Sequence, residues 1–353
     1  MARIGVMTFL HNDNYGSTLQ AWALQKTLAA MGHAAEHIDY RPSKAEKIRN
    51  LLLSGNSPKL ILEGMRKRRA SGSRPTGFQE FQARQMKLSP ACPDHAALKK
   101  QAEQYDLLIA GSDQVWSPVW LNPAYFLDFT DKPKLSYACS LGVKEMPARR
   151  KQRRMAALMK PFRAISVRED AGADIVEKLL GRRPAVTPDP VMLAEKAQWR
   201  AVSRNPAAGE KYILCYFIGD RADYWQRVAE AAKRVQLPVK VIPMTEAAWQ
   251  SGYETVQCAP EEWLGLIDGA QYLITDSFHG ATFAAILNRP FEVLRRYREE
   301  DPENKNSRVE QMLSLLDLSW TNENPDWERV NARLSGIRTE GAQWLDKAIR
   351  EAL

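Results

Sequence analysis

Four stretches of this sequence set reactive side chains where an apolar run gives way to a polar one. Asp276-Ser277-Phe278-His279-Gly280 follows the apolar run 272–275 and opens the helical run 281–287. An imidazole there can act as general acid or base, because its unperturbed pKa of about 6.5 lies near operating pH. Ser277 can cap the helix, and with Gly280 it is a binding candidate; the plainer alternative is a histidine capping its own helix. Arg168 closes the run Ile165-Ser166-Val167 just before another helix, where a guanidinium can grip a carboxylate or phosphate bidentately. Its alternative is a surface ion pair with Glu169 or Asp170. Gly111-Ser112-Asp113-Gln114 follows a buried-strand pattern and reads as a binding loop or as a tight turn with an Asx cap. In His11-Asn12-Asp13-Asn14-Tyr15-Gly16, amide and imidazole groups cluster before a helix N-terminus. His11, Asn12, Asn14 and Gly16 therefore join Ser112, Asp113 and Gln114 as binding candidates.

These residues need elements to hold them. Strand 4–9, a helix capped by Ser17 with Ala21, Leu24, Leu28 and Met31 on one face, and strand 35–40 form a βαβ unit. Strands follow at 105–110, 134–140, 164–167 and 185–187, with helical runs at 149–160 and after Asp170. Pro188-Asp189-Pro190 marks an exit, after which the alternation restarts: strand 212–218, helix 224–235, strand 239–242, helix 261–267 and strand 272–275. Helical sequence closes the chain, with Trp344, Leu345 and Ile349 on one face. The expectation is α/β: two Rossmann-like lobes facing a cleft, with ligands at the carboxyl ends of strands. The lobes are drawn at 1–192 and 193–320, the second carrying His279, with a helical tail at 321–353.

Length and composition agree with two folded domains: 353 residues, 44% hydrophobic and 26% charged. The formal charge of +8 favours anionic partners without choosing among them. Cys92, Cys139, Cys215 and Cys258 are scattered, so neither a disulfide framework nor a metal site is expected, and the cytoplasm is the simplest location. A strand-like run begins at Arg3, which argues against a leader, and no apolar run reaches the roughly 20 residues of a spanning helix. The sequence has no G-x-G-x-x-G after the first strand, no G-x-x-x-x-G-K-[ST], no H-E-x-x-H and no G-x-S-x-G. Dinucleotide redox chemistry and P-loop phosphoryl transfer thus lack their phosphate cradles. The basic clusters Arg66-Lys67-Arg68-Arg69 and Arg149-Arg150-Lys151 with Arg153-Arg154 read as solvated helix faces, or as docking sites for an anionic membrane surface. No aromatic stacking motif accompanies them, so no nucleic-acid partner is expected.

Taken in order, Ile4-Gly5-Val6-Met7-Thr8-Phe9 with Asn14-Tyr15-Gly16-Ser17-Thr18-Leu19-Gln20-Ala21, Gly111-Ser112-Asp113-Gln114-Val115-Trp116, Tyr137-Ala138-Cys139-Ser140-Leu141-Gly142, Ser166-Val167-Arg168-Glu169, Asp189-Pro190-Val191 and Thr275-Asp276-Ser277-Phe278-His279-Gly280-Ala281 resemble the polysaccharide pyruvyl transferase family. The resemblance runs from residue 4 to about residue 294 and omits the C-terminal helices. It implies a fold similar to that of GT-B glycosyltransferases. It also implies transfer of a pyruvyl group from phosphoenolpyruvate, as donor substrate and with no cofactor, to hydroxyls of a surface polysaccharide or lipid-linked precursor as a cyclic ketal. In that resemblance His279 is the catalytic acid/base and Arg168 helps hold the donor. Some branches carry Arg-Leu-His where this chain has Ser277-Phe278-His279, so their cation is missing here. Arg289, Arg295 and Arg296 are the nearest basic residues in sequence, and the sequence alone places none of them at the site. Two other functions suit the same fold class: a nucleotide-sugar-dependent glycosyltransferase, and a non-catalytic glycan- or phosphate-binding protein.

Overall fold

The computed structural model describes residues 1–54, 77–297 and 306–353. The basic cluster at 66–69 and most of the polar tract at 298–306 lie outside them. The described chain divides into two compact units, the first comprising residues 1–54, 82–193 and 337–353, the second residues 77–81, 194–297 and 306–336.

In the first unit, six parallel strands form one sheet: β1 (Arg3–Met7), β2 (Ala34–His37), β3 (Leu107–Gly111), β4 (Lys134–Cys139), β5 (Ala164–Val167) and β6 (Ala185–Val186), in the order β2-β1-β3-β4-β5-β6. A parallel sheet is covered on both faces, which is why β3 is an unbroken apolar run buried throughout. Its alternate residues serve two cores. Leu108 and Ala110 join Ile38, Trp116, Phe126 and Val176, whereas Leu107 and Ile109 join Ile4, Val6, Leu24 and Leu28.

The helix Tyr15–Ala30 starts earlier than its sequence suggests. Asn14, not Ser17, is the N-cap, its side chain accepting from the Ser17 N–H at 3.0 Å. Both residue types can cap, and Ser17 is drawn away to a partner described below. The C-terminal helix Trp327–Ala352 is no isolated tail. Its apolar face, Leu345, Ala348, Ile349 and Ala352, is buried in the first unit's core, and Trp344 meets the Tyr137 ring with centroids 6.0 Å apart.

The second unit's sheet contains β7 (Ile213–Tyr216), β8 (Val239–Ile242), β9 (Glu254–Thr255), β10 (Tyr272–Thr275), β11 (Phe291–Val293) and β12 (Thr321–Asn322). Their order is β12-β11-β10-β7-β8-β9, all parallel except β12, which runs antiparallel to β11. The strands β9, β11 and β12, two or three residues each, are too short to leave a sequence period. In each sheet the chain works outward in one direction and then returns to the other side of its first strand. The reversals fall between β1 and β3 and between β7 and β10, and open α/β sheets bind ligands at such points, beyond the strand carboxyl ends. Among the described residues no helix is long and apolar enough to cross a membrane. On the helix Arg149–Met159, Arg149, Arg150 and Arg153 are exposed while Met155 and Met159 turn inward, the pattern of a solvated basic face.

Candidate functional site

The reversal between β1 and β3 joins the two N-terminal binding loops. Asn12 Nδ2 donates to Ser17 Oγ at 2.8 Å, and Ser17 Oγ in turn donates to the Asp113 carboxylate through a short bond. Asp113 adopts a left-handed φ of 62°, a conformation Asp tolerates better than most residues, and its Oδ1 accepts the Gln114 N–H at 2.8 Å. The Asx turn and the polar loop are therefore one feature. Ser112 Oγ reaches Asp189 Oδ2 at 3.4 Å. Gly16 is buried in the first helical turn, and Asn14 is the cap. His11 turns to a partner the sequence reading missed: its Nε2 lies 2.6 Å from Asp39 Oδ1 beyond the end of β2, and Arg41 Nε binds the same carboxylate at 2.9 Å.

Arg168 follows β5 directly and its side chain is only 3% exposed. Nη1 binds Asp189 Oδ2 at 2.5 Å, while Asp113 Oδ1 and Glu169 Oε2 each stand 3.9 Å from other guanidinium nitrogens. Burial works against its charge, but Asp189, Asp113 and Glu169 outweigh it and hold its pKa above the ordinary value. Glu169 Oε1 also accepts from Ser140 Oγ and the Leu141 N–H at 2.9 Å and from the Gly142 N–H at 3.2 Å. An anion approaching Arg168 would meet three carboxylates. This geometry ties the loops after β3, β4, β5 and β6 together, and it does not present an open cation.

In the second unit, the loops after β7 and β10 meet at Asp276. Its carboxylate accepts the N–H groups of Ile218 and Gly219, each at 2.7 Å, and the Tyr224 hydroxyl at 3.2 Å. Arg296 Nε donates to Asp276 Oδ2 at 3.0 Å, and Arg296 Nη2 donates to the Asp276 carbonyl at 2.9 Å. Ser277 then caps the helix Phe278–Leu287, accepting the Gly280 N–H at 3.3 Å, so that helix begins three residues before the expected run. Gly280 packs tightly, since an added Cβ would sit 2.6 Å from Thr275 Oγ1. It serves the cap and the helix–strand contact. His279 lies in the first helical turn, 9% exposed, with its ring edge-on to Phe278.

The structure thus gathers Asn12, Ser112, Asp113 and Arg168 in one unit, and Ser277, His279 and Gly280 in the other. Sequence reasoning missed Ser17, Asp39, Tyr224 and Gly219 as supports, and Asp276 with Arg296 as a pair. The available signal for that pair was topological: β11 lies parallel to β10, so Arg296, three residues past β11, emerges at the same sheet edge as Asp276.

The family profile described as polysaccharide pyruvyl transferase matches residues 14–296, which takes in every residue just named as gathered at either reversal except Asn12. No curated protein matches the sequence. Among solved structures, the fold is similar to that of UDP-GlcNAc 2-epimerase from Neisseria meningitidis bound to UDP-GlcNAc, with TM-score 0.52, 11% identity, and 99% of this chain and 100% of that one covered. The UDP-N-acetylglucosamine 2-epimerase from Rickettsia bellii gives TM-score 0.53 and 8% identity, covering 99% and 96%. The fold is therefore of the GT-B type, and at these identities the likeness concerns fold alone.

Proposed function

The chain belongs to the polysaccharide pyruvyl transferase family, and from that premise we propose that it moves the pyruvyl group of phosphoenolpyruvate onto two hydroxyls of a glycan, or of its lipid-linked precursor, as a ketal. The observation that supports this reading most is His279, set in the first turn of a capped helix at the chain reversal of the second sheet. Its imidazole gives a proton to the methylene carbon of the enolpyruvyl group, and the neighbouring carbon becomes oxocarbenium-like. One acceptor hydroxyl attacks that carbon and returns its proton to the imidazole. The C–O bond to phosphate then breaks, and the second hydroxyl closes the ketal, its proton leaving with phosphate. Positioned proton transfer of this kind contributes typically about 10²–10⁴-fold. Arg168 enters this reading as the holder of the loop carrying Ser112 and Asp113. Exposed Arg149, Arg150 and Arg153 suit an acceptor presented at an anionic lipid surface.

The test is thermal stability against phosphoenolpyruvate, UDP, UDP-GlcNAc and CMP, followed by phosphate release with saccharide acceptors. A ligand at about a hundred times its Kd stabilises the fold by about 2.7 kcal/mol. Phosphoenolpyruvate is expected to raise Tm in wild type and in His279→Ala, with turnover falling about 10²–10⁴-fold in the variant. A shift with a nucleotide and none with phosphoenolpyruvate replaces this reading with that of a nucleotide-sugar enzyme.

A further inference from the structure

Three arginines follow the His279 helix closely in sequence, and the structure sends them to different places. Arg289 Nη2 binds Asp268 Oδ1 at 2.8 Å. Arg295 stacks its guanidinium 4.4 Å from the centre of the Trp320 ring. Arg296 alone turns to Asp276, the residue immediately before the Ser277 cap. We propose that Arg296 is the guanidinium that binds the anionic donor beside His279, a proposal that rests on the pyruvyl-transfer reading and adds to it the residue that grips the donor's phosphate or carboxylate.

The surroundings of Arg296 hold a cation without consuming it. Nε and Nη2 are committed to Asp276, which fixes the plane of the fork, and Nη1 makes no hydrogen bond among the described residues. The side chain is 21% exposed, against 0% for Asp276, so the pair is anchored at its acidic end and open at its basic end. Asp276 is itself served by two backbone N–H groups and the Tyr224 hydroxyl, which spreads its charge over donors other than Arg296. Burial disfavours the charged guanidinium, but Asp276 outweighs it, and Arg296 stays protonated. The arrangement also needs a residue without a side chain at Gly219: an added Cβ would lie 2.7 Å from Asp276 Oδ2 and 3.0 Å from Arg296 Cγ. A guanidinium held in one plane with a free edge is matched to the oxygens of phosphate or carboxylate.

The experiment is titration of the full chain with phosphoenolpyruvate, read by calorimetry and by Tm, in wild type, Arg296→Gln, Arg289→Ala and Arg295→Ala. Glutamine keeps a donor for Asp276 and removes the charge, and circular dichroism checks that the variant is folded. Arg296→Gln is expected to weaken binding about 10- to 100-fold, the loss of one charge-assisted contact, while Arg289→Ala and Arg295→Ala stay within about twofold of wild type. If wild type binds phosphoenolpyruvate and Arg296→Gln binds it equally well, the assignment of Arg296 is overturned and the pyruvyl-transfer reading stands. Should wild type not bind phosphoenolpyruvate, both fall. Should Arg296→Gln be unfolded, Arg296→Lys decides. It keeps the charge but loses the planar fork, so a several-fold loss supports the assignment and undiminished affinity overturns it.

Discussion

Each unit places one arginine beside acidic groups at the carboxyl edge of its sheet, and the two arginines are solvated and paired in opposite ways. Arg168 is 3% exposed and surrounded by Asp113, Glu169 and Asp189, whereas Arg296 is 21% exposed and, among the described residues, hydrogen-bonds Asp276 only. A buried charge needs partners in proportion to the solvent it loses, so the first arginine is bound into a network whose output is geometry. The second keeps an edge for a ligand. Charge at a switch point is therefore a weak guide to ligand binding until the carboxylates around it are counted. Arg168 reads from sequence as the better anion ligand, but its setting is the less suited to one.

The largest effect that can break this comparison is on stability. Arg168→Met takes the Arg168 guanidinium away from Asp189, whose side chain is fully buried, and from the two further carboxylates, Asp113 and Glu169, beside it. Removing one partner of such a network costs about 3–5 kcal/mol. Arg296→Gln leaves Asp276 with its other donors and is expected to cost about 1–2 kcal/mol. Urea unfolding of both variants gives the order directly. If Arg296→Gln proves the more damaging, the division into a holding arginine and a presenting one is wrong.

A second prediction concerns a buried histidine at a strand end. His37, at the end of β2, is fully buried with Nε2 2.9 Å from the Ala21 carbonyl, and burial pushes its pKa down to about 4. The unfolded chain takes up this proton near pH 6.5, and the folded one only near pH 4. Between these values the unfolded state binds more protons, so the contribution of neutral His37 is complete above pH 6.5 and lost as pH falls toward 4. That gap corresponds to about 3 kcal/mol. Unfolding free energies from pH 7 to 4 are expected to fall by that order in wild type and to fall less in His37→Gln, which cannot titrate. Equal slopes would mean that other groups carry the acid sensitivity and that His37 is no more than a packing residue.

How much of this was legible in the sequence follows from the range of each signal. The apolar runs 107–110 and 272–275, each broken by Asp and Ser, marked β3 and β10 and put Asp113 and His279 at strand ends, because a buried parallel strand needs such a run. The periodic face of Trp344, Leu345 and Ile349 announced a buried helix side, but periodicity does not say what covers it, and its partner is β-sheet core more than 150 residues away, including Ile4 and Leu107. Arg296 was hidden because its placement depends on β11, three residues long, lying next to β10. Asn14 and Ser17 are both good caps, and what separates them is Asp113, 96 residues on from Ser17, which takes the serine hydroxyl.

The smallest expected effect is also the one that sharpens the comparison most cheaply. Both candidate helices begin with a side-chain cap: Asn14 accepts the Ser17 N–H at 3.0 Å, and Ser277 accepts the Gly280 N–H at 3.3 Å. An alanine at either position removes one acceptor from an otherwise orphaned backbone donor, which costs typically about 1 kcal/mol. On stability alone, Asn14→Ala and Ser277→Ala are therefore expected to look alike. They part on function if the second unit presents the donor site, because Ser277 stands between Asp276 and His279 and its loss frays the turn that carries the imidazole. The expected outcome is a similar small fall in Tm for both variants, with a several-fold loss of phosphoenolpyruvate affinity or turnover in Ser277→Ala alone. Equal functional losses would mean that the first unit's loop is as much a part of the ligand site as the second's. A loss confined to Asn14→Ala would move the donor to the Asp113 loop and make Arg296 the holding arginine.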